Sequence, residues 1–456
     1  MFLDLTTAAP DDLLRIDAVT LLLATLVTLV ALAVLPYAHR NLRGDRHGRG
    51  VTAALALVFA ASGAMVLLAD PLAQAAAWSV ATIGVLVALR LGGGRAAVRR
   101  PAVWLIATDV LVWASVLLAP GTAAAVLLVA AAIIRAAGVP AHGWLLDALR
   151  APTPVSAALH GGVVNGGAIL VILQLPALEA GAAPLVVAAV FGAIAIVVGG
   201  AGLAARPDIK GKLVMSTVAQ LGFSMLCIGL GLWAAALLHL VAHGWYKSAR
   251  FLASGDGVDR RAAARRAPAP ARPVLPRAGA ALGALTAAAA VIAGVLVSYP
   301  GAASLGGAVV ITMIGLATGT AAARLVGSAS SRGELAGRLG LVVVMAGAIA
   351  VALGLLNRML APALAPTVAP PVASLALAAA AALAVVALVT VRRAAAGSSF
   401  ERALLAGALA LGAAPRSALD RGSSRRRRGA VFVASAEAPA ATHRTPSAPT
   451  RQEVAA

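Results

Sequence analysis

The chain has 456 residues, 61% hydrophobic and 12% charged, with a mean hydropathy of +0.93. A soluble enzyme or nucleic-acid-binding domain is excluded, because several apolar runs reach the roughly 18 residues that read as a membrane-crossing helix. The net charge of +20 does not point to nucleic acid either: most arginines sit in short loops between apolar segments or beyond residue 391, the pattern of topology-setting charges.

The N-terminal text MFLDLTTAAPDDLLRID is acidic and does not read as a cleaved signal peptide. Behind it the chain reads as an all-α, polytopic membrane helix bundle of about thirteen transmembrane helices. Their approximate bounds are 16–35, 51–69, 72–91, 102–118, 122–150, 153–175, 183–205, 211–230, 232–253, 278–298, 303–325, 337–358 and 371–392. The fifth is discontinuous. Arg40, Arg43, Arg46 and Arg49 follow the first crossing; Arg95, Arg99 and Arg100 follow the third; Arg150 follows the fifth. Arg206, Lys210 and Lys212 follow the seventh, and the alternation continues through Arg260 to Arg266, Arg332/Arg338 and Arg392/Arg393. The intervening loops carry almost no positive charge, Arg358 excepted. The positive-inside rule then predicts an outside N-terminus and a cytoplasmic C-terminus.

Residues 1–395 therefore form the transmembrane domain, with a basic, Pro-rich cytoplasmic loop at 256–277 that links two membrane halves. Residues 396–421 are a candidate interfacial amphipathic helix. Residues 422–456 read as a disordered basic cytoplasmic tail whose Arg425–Arg428 run meets anionic lipid or solvent rather than nucleic acid.

The chemistry-bearing text runs from 133 to 167, IIRAAGVPAHGWLLDALRAPTPVSAALHGGVVNGG. Pro140 falls inside an apolar run and Pro152 and Pro154 close it, so a helix crossing here is broken or kinked. Broken helices at membrane depth are tolerated only where the freed backbone faces protein or a water-filled cavity, and ionisable residues there mark ion pathways. Arg135 lies near the break, and Asp109, in the middle of WLIATDVLVWASVLL, is its expected partner. That pair is either structural or part of an ion path.

His160 lies nearly two turns into the next crossing. His239, His243 and Lys247, in HLVAHGWYK, are spaced i, i+4, i+8 and share one helical face. The two histidines have zinc-ligand spacing, but no nearby carboxylate or thiol completes such a site, and Cys227 is the only cysteine. A proton or hydrated-ion relay fits better, since histidine titrates near neutral pH. Of 37 lysines and arginines only Lys210, Lys212 and Lys247 are lysine. In an Arg-rich, Ala-rich chain, the retained lysines either mark positions where a deprotonatable amine is needed, since arginine is effectively always charged, or are chance retentions serving as ordinary topology charges, the first reading favoured most at Lys247. Ser216, Thr217 and Gln220, in the crossing after Lys210, can bridge helices or line water.

The segments HGWLLDALRAPTPVSAALH, DIKGKLVMSTVAQLGF and HLVAHGWYKSARFLASG resemble the antiporter-like subunits of proton-pumping NADH dehydrogenase (complex I) and of Mrp antiporters. Within that superfamily HGWL, APTPVSA, VVNGG, AQLGF, CIGLG and LLHLVAHGWYKS are most similar to DabB, the membrane subunit of the DAB inorganic-carbon transporters. The resemblance implies a bacterial inner-membrane protein that conducts H⁺ or Na⁺ to energise bicarbonate or CO₂ accumulation. It also implies a large cytoplasmic zinc-binding, carbonic-anhydrase-like partner of the DabA type, with no cofactor or metal on this chain itself.

The resemblance places the family's broken-helix lysine at Arg135, its histidine after PTPVSA at His160 and the lysine of its DIK segment at Lys210. The later histidines and lysine fall at His239, His243 and Lys247, and an early acidic residue at Asp109. Two departures stand out. Complex I subunits carry a glutamate after a tryptophan near the region of Trp78, whereas the first glutamate here is Glu179, which argues against a complex I pump. Arg135 also replaces a titratable lysine. The alternative function is a proton-translocating subunit of a complex I-like NADH-quinone oxidoreductase or an Mrp-type antiporter.

Overall fold

The computed structural model describes residues 13–175, 181–255, 276–298, 305–360 and 399–412, with Arg266 and scattered positions between 372 and 384. The described residues are helical almost throughout, and eight of their helices are long and apolar enough to cross a membrane. Helix α1 spans Ala18–Asn41, α2 Gly48–Leu67, α3 Pro71–Leu117 and α4 Thr122–Arg135; α5 spans Gly143–Ala148, α6 Thr153–Gly161 and α7 Gly166–Leu173. Helix α8 spans Ala182–Ala205, α9 Ile209–Gly229, α10 Trp233–Leu252, α11 Pro276–Ser298, α12 Leu305–Gly327, α13 Arg332–Leu360 and α14 Ser399–Gly412. The loop predicted at 256–277, apart from Arg266 and its last two positions, lies outside the described residues. So do the tail at 422–456 and more than half of the crossing predicted at 371–392.

Side-chain caps start the helices where acidic residues precede apolar runs. Asp17 accepts from the Thr20 amide at 2.8 Å while the Thr20 hydroxyl accepts from the Asp17 amide at 2.9 Å, a reciprocal box that satisfies two orphan donors of α1. Asp70 accepts from the Ala73 amide at 2.8 Å, with Pro71 at the first helical position of α3. Asp208 accepts from the Gly211 amide at 2.6 Å and pairs with Arg206 at 2.9 Å. Burial raises the Asp208 carboxyl, but the Arg206 and Gly211 hydrogen bonds outweigh it and hold the group below the usual carboxylate range.

Helix α3 is two crossings in one run. Its interior is non-helical at Gly94, whose φ of 72° lies in the left-handed region that glycine alone enters without a steric cost. The legs fold back on each other, since Thr82 meets Asp109 and Ser79 meets Trp113 across the break. The crossings predicted at 72–91 and 102–118 are these legs.

The predicted discontinuity at 122–150 is present: α4 stops at Arg135 and α5 restarts at Gly143. Trp144 donates its indole N–H to the Ile134 carbonyl at 3.0 Å, so a carbonyl freed at the break is satisfied inside the protein. The crossing predicted at 153–175 is not one helix. It breaks into α6, a single tight turn at Val163–Asn165, and α7. Glycine pairs flank that turn, and glycine lowers the cost of leaving the helix.

One core runs through α1–α10, with Leu23, Leu55, Trp78, Leu128, Trp144, Leu170, Leu226 and Phe251 at its centre. Helices α11, α12 and α13 pack mainly on one another through small clusters around Val291, Ile311 and Ala346, and around Ala287, Ala322 and Val326. Helix α14 lies along α8. Outward faces carry Leu32, Ile83, Val103, Ile106, Val110, Val344 and Val351, all exposed. Eight long apolar helices with such outward faces make this a multi-pass membrane protein.

Candidate functional site

Two polar clusters lie inside the bundle. The first joins both legs of α3 to the end of α4. Arg135 is only 2% exposed, and its Nη1 donates to the Thr82 hydroxyl at 2.7 Å. The Thr82 hydroxyl lies 2.8 Å from Asp109 Oδ1 and donates to it. The guanidinium carbon sits 4.1 Å from the centroid of the Trp78 ring, a cation–π contact in a desolvated place. The expected Asp109–Arg135 pair therefore exists only through Thr82: the residues share a bridging hydroxyl and form no direct ion pair among the described contacts. A direct pair would need α4 and the second leg of α3 to bring the two side chains together, whereas both reach the Thr82 hydroxyl on the first leg.

The second cluster joins α6, α9 and α10. His160 Nδ1 lies 3.0 Å from the Thr217 hydroxyl, and the ring stacks on Phe251 at 4.1 Å with an interplanar angle of 14°. Thr217 gives its own proton to the Leu213 carbonyl at 2.9 Å, so it accepts from His160. Lys247, 0% exposed, donates to that same Leu213 carbonyl at 3.1 Å and to the Ser216 hydroxyl at 2.5 Å. Its partners are neutral, and among the described residues no carboxylate forms an ion pair with it. One turn earlier, the rings of His239 and His243 lie 5.8 Å apart at 22°. The Nε2 atoms of both are buried without a hydrogen-bond partner. His243 Nδ1 meets Asn165 Oδ1 at 3.1 Å.

Close backbone approach assembles this cluster. A Cβ on Gly161 would fall 1.7 Å from Ser248 Oγ and 2.9 Å from the Gly244 carbonyl, and one on Gly244 would fall 2.6 Å from the Gly161 carbonyl. Two bare glycines thus let α6 and α10 touch, as small residues do in membrane bundles. That contact carries His160 against Phe251 and Asn165 against His243.

Of the predicted residues, Asp109 and Arg135 come together in the first cluster, and His160, His239, His243 and Lys247 in the second. Lys210 stands apart. It is half-buried at the start of α9 and donates to Thr153 at 3.3 Å, at the PTPVS end of the broken helix. Ser216 and Thr217 bridge helices as their sequence position suggested. Thr82, Trp78 and Asn165 were not among the predicted residues; only Asn165, an amide between glycine pairs in an apolar run, offered a signal. A cavity lined by Phe59, Ser62, Trp78, Arg135, Gly162 and Asn165 runs from the first cluster to the amide that meets His243. No group of three His, Cys, Asp or Glu side chains able to hold a metal occurs among the described residues.

Comparisons with known proteins bear on both clusters. The family model described as NADH:quinone oxidoreductase/Mrp antiporter, transmembrane, matches residues 114–269, which contain α4–α10 and the second cluster but, of the first cluster, only Arg135. A probable inorganic carbon transporter subunit, DabB2, from Halothiobacillus neapolitanus is 47% identical over 136 residues, 30% of this chain and 25% of that protein. Probable inorganic carbon transporter subunits named DabB are similar over like spans: 40% identical in Hydrogenovibrio crunogenus and 38% in Bacillus subtilis, each aligned over 26% of its length. The match thus spans about a quarter of the curated relatives' length. The fold resembles a chain of the Mrp complex from Dietzia sp., with a TM-score of 0.50 and 21% identity, covering 96% of this chain and 57% of that one.

Proposed function

We propose, from the premise that this chain is a DabB-like protein whose residues 114–269 form an antiporter-like transmembrane domain, that it is the cation-conducting membrane subunit of an energy-coupled inorganic-carbon accumulation complex. The observation that carries this is Lys247: a fully buried amine held by neutral acceptors, on the helix face that also bears His243 and His239. A buried cation without a carboxylate is costly unless its charge moves or is given up, and buried charges of this kind mark ion paths.

The His160, His239, His243 and Lys247 groups form the path. Ring nitrogens that accept on one side and donate on the other pass protons between stacked imidazoles, and Lys247 holds the exchangeable charge at one end. Leu213 and Ser216 orient its amine. Asp109, Thr82 and Arg135 form a fixed charge gate at the far side of the cavity. Arg135 does not hand over protons there, because a guanidinium stays charged. Lys210 lies at the PTPVS end, where the loop charges place the cytoplasm and a soluble partner can dock.

The partner is a large cytoplasmic zinc-binding, carbonic-anhydrase-like subunit, and the coupling ion is H⁺ or Na⁺. The test is co-expression with such a candidate, followed by co-purification, zinc analysis of the partner and reconstitution into liposomes. Bicarbonate uptake that collapses with a protonophore or a sodium ionophore supports the proposal, and uptake insensitive to both refutes it. The description of the matching domain also favours a second reading, a subunit of a quinone oxidoreductase or Mrp-type antiporter. Co-purification with quinone-oxidoreductase or Mrp subunits instead would establish that one.

A further inference from the structure

Asn165 sits in the tight turn between α6 and α7 and is 0% exposed. Its amide nitrogen donates to two carbonyls, Gly161 at 3.1 Å and Leu240 at 3.4 Å. Carbonyls only accept, so the amide can point only one way, and its oxygen is the atom that faces His243 Nδ1 at 3.1 Å. An amide oxygen also only accepts. The proton of a neutral His243 ring must therefore lie on Nδ1, which leaves a bare lone pair on Nε2, buried and without a hydrogen-bond partner.

We propose that Asn165 is a positioning residue that fixes the His243 tautomer, so that Nε2 stands open as the proton acceptor on the helix face that also carries His239 and Lys247. This rests on the cation-path reading above. Asn165 has no titratable proton and acts through His243. It also lines the cavity shared with Arg135 and Trp78, and the break between α6 and α7 that seats it does two things at once. It frees the Gly161 carbonyl, which together with the Leu240 carbonyl of α10 locks the amide, and it brings the amide oxygen onto the one ring nitrogen that must be kept protonated. A residue serving only to plug the broken helix would need the two N–H donors and not the oxygen.

The test uses the full chain, labelled with ¹⁵N-histidine and reconstituted in lipid bilayers. Solid-state NMR reads the tautomer, with the His243 signal assigned by its loss in His243→Gln. Asn165→Asp and Asn165→Leu both remove the donors to Gly161 and Leu240, but only Asn165→Asp keeps an acceptor oxygen. A protonated Nδ1 is expected in the unaltered protein and in Asn165→Asp. In Asn165→Leu the proton moves to Nε2 and proton flux into vesicles falls by about tenfold or more. Retention of the Nδ1 proton in Asn165→Leu overturns the proposal, as does an Nε2 proton in the unaltered protein. A tautomer change in Asn165→Leu with flux intact refutes the cation path through His243 and leaves the tautomer assignment standing. If Asn165→Leu does not fold, the unaltered protein and Asn165→Asp decide the assignment.

Discussion

The guanidinium of Arg135 and the amine of Lys247 are buried in the same bundle, at 2% and 0% exposure, yet their surroundings are opposite in kind. Arg135 has a carboxylate one hydroxyl away and an aromatic face beneath it. Lys247 has a carbonyl and a hydroxyl. A charge that never leaves its group can be given a permanent counter-charge, and the surrounding structure then depends on both partners. A charge that must come and go is better served by neutral acceptors, which hold the amine in either protonation state. On the proposed function, the contrast separates groups that hold the fold from groups that carry the ion.

Removing the permanent counter-charge should have the largest effect on stability. Asp109→Ala strands the Arg135 guanidinium, and about 3 kcal/mol should be lost, read as unfolding in detergent followed by tryptophan fluorescence. Thr82→Val keeps the shape and removes the bridge, at a cost of about 1–2 kcal/mol in the same assay. Gly161→Ala forces α6 from α10 and should cost about 1–2 kcal/mol. Adding Ser248→Ala should restore only part of that, because the Gly244 carbonyl still blocks the new Cβ. Lys247→Met should change stability least, by less than about 1 kcal/mol, since Ser216 and Thr217 still donate to the Leu213 carbonyl without it. Equal losses in Asp109→Ala and Lys247→Met would erase the distinction between the clusters.

The sequence made the membrane architecture legible through two strong signals. Apolar runs of bilayer length and the alternation of loop arginines located the crossings from α1 to α13, though not the break between α6 and α7, and the prolines located the discontinuity before Gly143. The chemistry-bearing residues were legible because charge is rare at membrane depth: Asp109, Arg135, His160 and Lys247 stand out against Ala and Leu. The groups that organise them were not. Thr82 is one hydroxyl in an apolar helix, and its role depends on partners 27 and 53 residues away. Asn165 meets His243 across 78 residues. Periodicity reports which face of a helix is apolar and carries no information about such distant meetings. The glycines of GGVVNGG do not announce the break either, because packing and helix breaking use the same residue for the same reason, the missing side chain.

Cation flux through the purified protein tests the division most directly. Proteoliposomes carrying the unaltered chain, Lys247→Ala, His239→Ala and Arg135→Lys, each with the proposed cytoplasmic partner, would be compared under an imposed pH or sodium gradient. Flux should fall by a factor on the order of 100 in Lys247→Ala and in His239→Ala, with folded protein recovered in both. Arg135→Lys should alter the pH profile, because a fixed charge becomes titratable. Flux unchanged in Lys247→Ala and His239→Ala would contradict an ion path through the second cluster, and an unchanged profile in Arg135→Lys would contradict the gate.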